Sequence, residues 1–318
     1  MHIAVIGNFF HAWHKYAFAK LGITYDVYDL FNKKICKEIN SKKYDWCMIT
    51  NMWGEASHPY AAIKHKTVFW SSEDPNHFNT LKLKAIQCDY VFTTASECVQ
   101  KYKTLAHNTR LCPDNVHVLQ FAMVPELHSR DTDVPVIYDT VFIGNRYTNC
   151  AVRIEAEKAI LFPILEMPRI GLHVYGHWDN IHGWKGLIPE HLFHGWVACD
   201  HTATVYSQSR VALSMNEQID SPTMCSMRVF DIIGCGIPML SYMSLATKNL
   251  FGDYVTFTNS PIETMDFLTS FFYNTKYRLA CKEKAKEGRE FALKHHTYMH
   301  RIQEMLGVLG YDKTQQCT

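Results

Sequence analysis

The chain is written as an alternation. Short apolar runs rich in valine and isoleucine end at glycine, serine or asparagine, and each gives way to a stretch with helical spacing. HIAVIG stops at Gly7, and HAWHKYAFAKLG follows and stops at Gly22. ITYDVYDL, DWCMITN, KTVFWSS, DYVFTTA and VHVLQFA continue the strand series. The lysine-rich residues 32–44, LKLKAIQC and SECVQKYKTLA supply helical pieces between them. Runs that are apolar on both faces belong to strands covered on both sides, and parallel strands need helical crossovers. The alternation therefore predicts parallel α/β sheets flanked by helices.

The pattern breaks once. PELHSRDTDVPVIY is polar and carries two prolines, which places a boundary between a first domain, 1–130, and a second, 131–318. The alternation then restarts with DTVFIGN, a helix RIEAEKAILFPILE interrupted or bent near Pro163, and GLHVYGHW. LFHGWVA reads as a short strand and DHTATVYSQS as a helix. RVALSMN, the helix SMRVFDIIGCG, IPMLSYM and DYVTFTN follow, and the rest is mostly helical. The expected fold is two Rossmann-like doubly wound domains facing across a cleft. Ligands in such sheets bind outside the carboxyl ends of the strands.

Composition narrows the class. A chain of 318 residues suits two domains. With 47% hydrophobic residues and a net charge of +1, it is neither disordered nor suited to indiscriminate nucleic-acid binding. None of the 11 cysteines forms a CxxC pair, which argues against zinc ribbons and thioredoxin-type redox motifs. The cysteine count is odd, MHIAVIGN reads as a strand rather than a signal peptide, and no apolar run approaches the ~18 residues of a membrane helix. A reduced, cytoplasmic protein is expected.

Several loops carry residues able to do chemistry. Gly7 and Asn8 lie where the first strand turns into a helix, with His11 and His14 just beyond, as either acceptor-side groups or packing histidines. Glu73 and Asp74 follow the fourth strand, where one can serve as a base or hold an acceptor, or both can belong to a solvated turn at Pro75. Trp53 is placed to stack on a sugar or base. In the second domain, Gly144, Asn145 and Arg146 form a loop where a backbone can approach closely and Arg146 and Arg153 can reach a diphosphate. Gly176 and His177 form a turn suited to a base or sugar. Asn216 precedes a helix whose start offers Ser226, Arg228 for a phosphate and, one turn on, Asp231 for ribose or sugar hydroxyls. A plain Arg228–Asp231 salt bridge is the alternative. Neither the histidine run from His173 to His201 nor Asp131-Thr132-Asp133 has the placement of a metal site, so no metal is expected.

Four blocks together resemble the CgeB/YkvP-like glycosyltransferases: TVFWSSEDP, DYVFTTASECVQKYK with VHVLQFAMVPELH, CSMRVFDIIGCGIPMLSY, and ALKHHTYMHRIQEML. The resemblance spans most of residues 70–310 and is looser before them. It implies the two-domain GT-B architecture, with a closing C-terminal helix packed back on the first domain. It places Arg228 and Asp231 in a nucleotide-sugar site, with the Gly144 loop at the diphosphate, and it favours a UDP-sugar and no prosthetic group. The family usually has Glu where this chain has Asp231.

The expected activity is transfer of a hexose or pentose from a nucleotide-sugar to a hydroxyl, without metal. Arg146, Arg228 and a helix amino end would neutralise the leaving diphosphate, and His11, Glu73 or Asp74 would orient or deprotonate the acceptor. Glycan, protein, small molecule and a hydroxylated DNA base remain open as acceptors. For DNA, lysines 33, 34, 37, 42, 43, 64, 66, 82 and 84 are the candidates to line a basic groove. A non-catalytic nucleotide-sugar-binding protein is the main rival. An NAD-dependent enzyme is disfavoured by the absence of GxGxxG.

Overall fold

A computed structural model describes residues 1–7, 11–29, 31–50, 60–129, 134–179 and 183–311, with only the backbone described for residues 11 and 12. The chain divides into two compact units. One comprises Met1–Phe121, Ser221–Met224 and Tyr298 onward, and the other comprises Ala122–Asp220 and Cys225–Thr297.

The first unit runs β1 (His2–Ile6), α1 (His11–Lys20), β2 (Thr24–Tyr28), α2 (Lys33–Ser41), β3 (Trp46–Thr50), β4 (Thr67–Ser71), α3 (Phe78–Ala85), β5 (Tyr90–Thr93), α4 (Ser96–Leu105) and β6 (Val116–Val118). Its six strands are ordered β2-β1-β3-β4-β5-β6, all parallel. Strands β3 and β4 are buried at every position, as their unbroken apolar runs require.

The second unit runs β7 (Tyr138–Ile143), α5 (Ala151–Ala156), α6 (Phe162–Leu165), β8 (Leu172–Tyr175), α7 (Thr202–Ser207), β9 (Ser209–Ser214), α8 (Met227–Cys235), β10 (Met239–Tyr242), α9 (Leu245–Phe251), β11 (Thr256–Thr258), α10 (Pro261–Tyr273) and α11 (Thr275–His295). Its five strands are ordered β11-β10-β9-β7-β8, again all parallel. The chain then returns to the first unit as α12 (Tyr298–Val308), which packs on α1. Buried Arg301 fastens α12 by donating from Nε to the Gln120 and Phe121 carbonyls, both at 3.1 Å.

Of the two readings at Pro163, the helix is interrupted rather than bent. A π-helical turn at Glu157–Leu161 separates α5 from α6, and Pro163 sits in the first turn of α6, where its missing N–H costs little. LFHGWVA forms no strand. Glu190–Leu192 is a 3₁₀ turn, and Phe193 makes a single bridge to Val174. No helix among the described residues is long and apolar enough to cross a membrane.

Both sheets share one topological property. In each, the chain leaves its first strand toward one edge and later returns to build toward the other. The switch falls between β1 and β3 in the first sheet and between β7 and β9 in the second. The carboxyl ends of the strands flanking such a switch diverge and leave a crevice for ligands. In the first unit the loops leaving β1 and β3 lie largely outside the described residues. In the second unit they are fully described.

Candidate functional site

Two arginines occupy the β7/β9 switch point. Arg228, in the first turn of α8, donates from Nε to the Ile143 carbonyl at 2.7 Å and from Nη1 to the Met215 carbonyl at 3.0 Å. Those carbonyls lie at the carboxyl ends of β7 and β9, so one guanidinium spans the switch. Arg153, on α5, donates to the same Met215 carbonyl and, at 2.9 Å, to that of Asn145. Both guanidiniums lie over the Phe142 ring, at 4.8 Å for Arg228 and 5.4 Å for Arg153. Among the described residues neither reaches a carboxylate at salt-bridge distance. Arg153 is only 1% exposed. Burial, with the like charge of Arg228, lowers its pKa to about 10, which still leaves it charged at neutral pH. The crevice therefore carries two positive charges that are hydrogen-bonded to carbonyls, with Glu217 and Glu157 acting on Arg153, and Arg228 on Asp231, from beyond salt-bridge distance.

Glycine makes the approach possible. Gly144 has φ +154°, and a Cβ there would stand 2.3 Å from Arg228 Nη2. Gly176, at φ +156°, follows β8, and a Cβ on it would stand 2.4 Å from the Gly144 carbonyl oxygen. That oxygen accepts the Trp184 Nε1–H at 2.9 Å, and the His177 N–H donates to Asn145 Oδ1 at 3.3 Å. The loops after β7 and β8 are thus locked together beside Arg228. Arg146, by contrast, has a carboxylate partner. Its Nε lies 3.1 Å from buried Glu157, so its charge is already balanced. Burial raises the Glu157 pKa, and Arg146 opposes that rise.

Beyond β9, buried Asn216 donates to Ser244 Oγ at 3.1 Å and Thr247 Oγ1 at 3.4 Å. Its Oδ1 and the Ser214 hydroxyl find no hydrogen-bond partner among the described residues. Ser226 occupies the N-cap of α8 but makes no side-chain cap bond. Asp231 does not pair with Arg228. Its Oδ1 lies 3.1 Å from His128 Nε2. His128 Nδ1 accepts the Val124 N–H, which leaves the ring proton on Nε2, the nitrogen nearer the carboxylate, although the geometry there is not that of a hydrogen bond. Burial raises the Asp231 pKa, against the pull of His128 and Arg228.

Residues 155–307 match the family described as glycosyl transferase-like. No curated protein matches the sequence. Among solved structures, T4 phage BGT in complex with UDP and Mn2+ aligns at TM-score 0.62 over 97% of this chain and 99% of that one, at 14% identity. Anabaena Alr3699/HepE in complex with UDP-glucose aligns at 0.65 over 98% and 99%, at 12% identity. Sucrose-phosphate synthase from Thermosynechococcus elongatus aligns at 0.66 over 98% of both chains, also at 12% identity. The fold is GT-B.

In the first sheet of this GT-B chain, the expected acceptor-side residues separate. Gly7, at φ +100°, ends β1 with its N–H on the Tyr28 carbonyl. Asn8, Trp53 and the side chain of His11 lie outside the described residues, as do His182 and Asp131–Asp133. His14 is fully buried, stacked on Trp70 at 5.2 Å and edge-on to Tyr298 at 5.3 Å, so it packs α1 and α12 together. Asp74 is also fully buried. It accepts the Thr93 hydroxyl at 2.7 Å and the Tyr102 hydroxyl at 3.4 Å. Burial raises its pKa, opposed by the Thr93, Ser71 and Tyr102 hydroxyls. Glu73, next to it, is only partly buried.

The lysines offered as a basic groove are partly committed elsewhere. Lys84 is 1% exposed, and burial lowers its pKa. Lys42 bridges Asp26 at 3.1 Å and Glu38 at 3.2 Å. Lys66 donates to the Leu309 carbonyl and lies over the Tyr90 and Tyr311 rings.

The main feature that sequence reasoning left undecided is Arg153. The alternatives were a diphosphate ligand and a surface arginine. It is instead a buried charge that ties the β7 and β9 exits together. Its signal is its place nine residues after the strand-ending Gly144, beside apolar positions 154 and 156.

Proposed function

We propose that this chain is a glycosyltransferase that takes a nucleotide-sugar, with the donor diphosphate bound at the β7/β9 switch point. The observation that carries this is the Arg153–Arg228 pair, two guanidiniums fixed by carbonyls beside Gly144 with no carboxylate in contact. A diphosphate supplies the missing charge, and water exclusion strengthens the attraction. Arg228 is the contacting group because it is only partly buried and its Nη2 lies against Gly144. Arg153 acts from behind, as a fixed positive charge that also holds Asn145 and Met215 in place. The Gly176–His177 turn and Asn216 flank this position and are assigned to the rest of the donor. Asp231, short of the usual Glu, is assigned to donor hydroxyls through its outer oxygen.

The reaction follows from that placement. The acceptor hydroxyl oxygen forms a bond to the anomeric carbon while the bond from that carbon to the diphosphate oxygen breaks. The diphosphate leaves with the electron pair, and the acceptor's proton passes to a base. The arginine pair stabilises the departing charge. Glu73 is the favoured base, because Asp74 is enclosed by hydroxyls and held toward its neutral form. No step here requires a metal, although the T4 phage neighbour is described with Mn2+. The finer assignment to the CgeB/YkvP-like group rests on the CSMRVFDIIGCGIPMLSY block, and a cytoplasmic setting agrees with nucleotide-sugar supply.

Structural neighbours favour UDP, since several are described with UDP or UDP-glucose. They leave the acceptor divided. One is described as a DNA modifying enzyme, beta-glucosyltransferase, another as an alpha-glucosyltransferase bound to a 13-mer DNA, and a third as sucrose-phosphate synthase. The burial of Lys84 and the engagement of Lys42 and Lys66 weigh against a continuous DNA groove on the first unit. The test is radiolabelled UDP-glucose with and without Mn2+, offered hydroxylated DNA, oligosaccharide and sugar-phosphate acceptors. Label transfer that disappears in Arg228→Ala supports the reading. Stabilisation by UDP with no transfer or donor hydrolysis supports a binding protein instead, and stabilisation by NAD alone overturns both.

A further inference from the structure

A second positively charged cavity lies at the opposite pole of the second sheet, where β9 and β10 begin rather than end. It encloses about 310 Å³, within the range that holds a small molecule. Its floor is apolar, formed by Ile237, Pro238 and Phe271, all buried. Its rim is cationic, formed by Arg210 on β9 and by Arg278 and Lys282 one turn apart on α11. Arg278 faces no carboxylate at salt-bridge distance among the described residues. It donates to the Phe272 carbonyl at 3.0 Å and to Thr275 Oγ1 at 3.1 Å, which pins the guanidinium at the end of α10. Arg210 meets one carboxylate, Asp139, at 3.5 Å through Nε. Asp139 is itself held by the Gly171 N–H at 3.1 Å, and the Arg210 guanidinium lies over the Phe272 ring at 5.9 Å.

We propose that this cavity binds a small phosphomonoester, separately from the donor site. The two guanidinium forks and the ammonium suit the three terminal oxygens of a phosphate. The Phe271–Pro238–Ile237 floor takes the carbon skeleton, and the volume fits a sugar phosphate better than a dinucleotide. Nothing in this proposal depends on the chain being a transferase. The cavity and the Arg153–Arg228 crevice are built from opposite ends of the same strands.

The test is calorimetric titration of the full chain with glucose 6-phosphate and with inorganic phosphate, each with the donor site saturated by UDP. Saturable binding of the ester is expected, with at least tenfold weaker binding in Lys282→Met and in Arg210→Met and unchanged binding in Arg228→Ala. Arg278→Met is a less clean probe because Arg278 also ties down α10, so the two other variants decide the matter. Absence of saturable binding overturns the proposal. So does binding that UDP displaces or that Arg228→Ala abolishes, since the ester would then be using the donor crevice. Binding insensitive to Lys282→Met and Arg210→Met would also overturn it.

Discussion

Arg153 and Arg228 donate hydrogen bonds to the same acceptor, the Met215 carbonyl oxygen, from two different helices. Two cations sharing one carbonyl repel each other, and burial of Arg153 deepens the cost. Phe142 relieves part of it by lying under both guanidiniums. That cost is what the proposed donor diphosphate would relieve.

Replacing Arg228 tests that directly. Arg228→Ala should weaken UDP binding by tenfold or more, about 1.4 kcal/mol, measured by calorimetry. Arg228→Lys should restore little of the loss, because one ammonium cannot bridge Ile143, Met215 and a phosphate as a planar fork does. Equal UDP affinity in wild type and in a folded Arg228→Ala would remove Arg228 from the site.

The Gly144 backbone should be as sensitive as the arginine. Gly144→Ala adds a Cβ 2.3 Å from Arg228 Nη2 at a φ of +154°, so both the loop and the guanidinium must move. The expected cost is about 1–3 kcal/mol of stability, together with a loss of UDP affinity approaching that of Arg228→Ala. Gly22→Ala is the control. Its φ is +64°, nothing lies within 4 Å of the added Cβ, and UDP binding should be unchanged. If Gly144→Ala binds UDP normally, the close approach has no role in the donor site.

Asp74 separates a structural carboxylate from a catalytic one. Burial raises its pKa above the ordinary 3.8, so the folded state favours the protonated form. Its contribution to stability is therefore fully present below pH 3.8 and is lost as pH rises through the folded-state value. The neutral isostere Asp74→Asn does not share that loss. The stability of wild type relative to Asp74→Asn, read from urea melts between pH 4 and 7, should fall as pH rises. Turnover should survive in Asp74→Asn and drop by about 10²-fold or more in Glu73→Gln. The opposite pattern would make Asp74 the base.

The central strands were legible because they are short apolar runs covered on both faces, and Val141–Ile143 or Val68–Trp70 have no other way to be satisfied. Gly144 and Arg228 stood out for the same local reason, a strand exit and a helix start. What the sequence could not show depends on packing across long separations. His14 becomes a core residue only because Trp70 and Tyr298 meet around it, from β4 and from a helix more than two hundred positions on. Asp74 is enclosed by Thr93 and Tyr102 from the next strand and helix. Asp231 finds His128 rather than its helical neighbour Arg228, whose N–H groups are taken by strand-end carbonyls. LFHGWVA had strand composition, but it meets the edge of β8 in a single bridge, Phe193 to Val174, too short a pairing to make a strand.

That edge carries the last prediction. His173 Nδ1 and His194 Nε2 are 2.8 Å apart, packed against the Tyr138 and Tyr175 rings. One proton between two imidazoles makes a hydrogen bond, and a charge on each makes a repulsion. Burial lowers both pKa values from 6.5. The neighbouring imidazole lowers that of His173 further, and Asp139 partly offsets this. A depressed histidine pKa contributes stability above the unfolded value of 6.5 and loses it as pH falls through the folded value. The pair holds residues 193–195 on β8, where the His194 N–H meets the Val174 carbonyl and the Gly176 N–H meets the Gly195 carbonyl, both at 2.9 Å. Because Gly176 abuts the Gly144 loop, UDP affinity should fall with stability as pH drops below about 6.5. Thermal melts and UDP titrations from pH 5 to 8 on wild type and His194→Gln provide the check. The variant should be less stable at pH 8 and should lose less on acidification, and parallel pH profiles for the two proteins would rule the pair out as the cause.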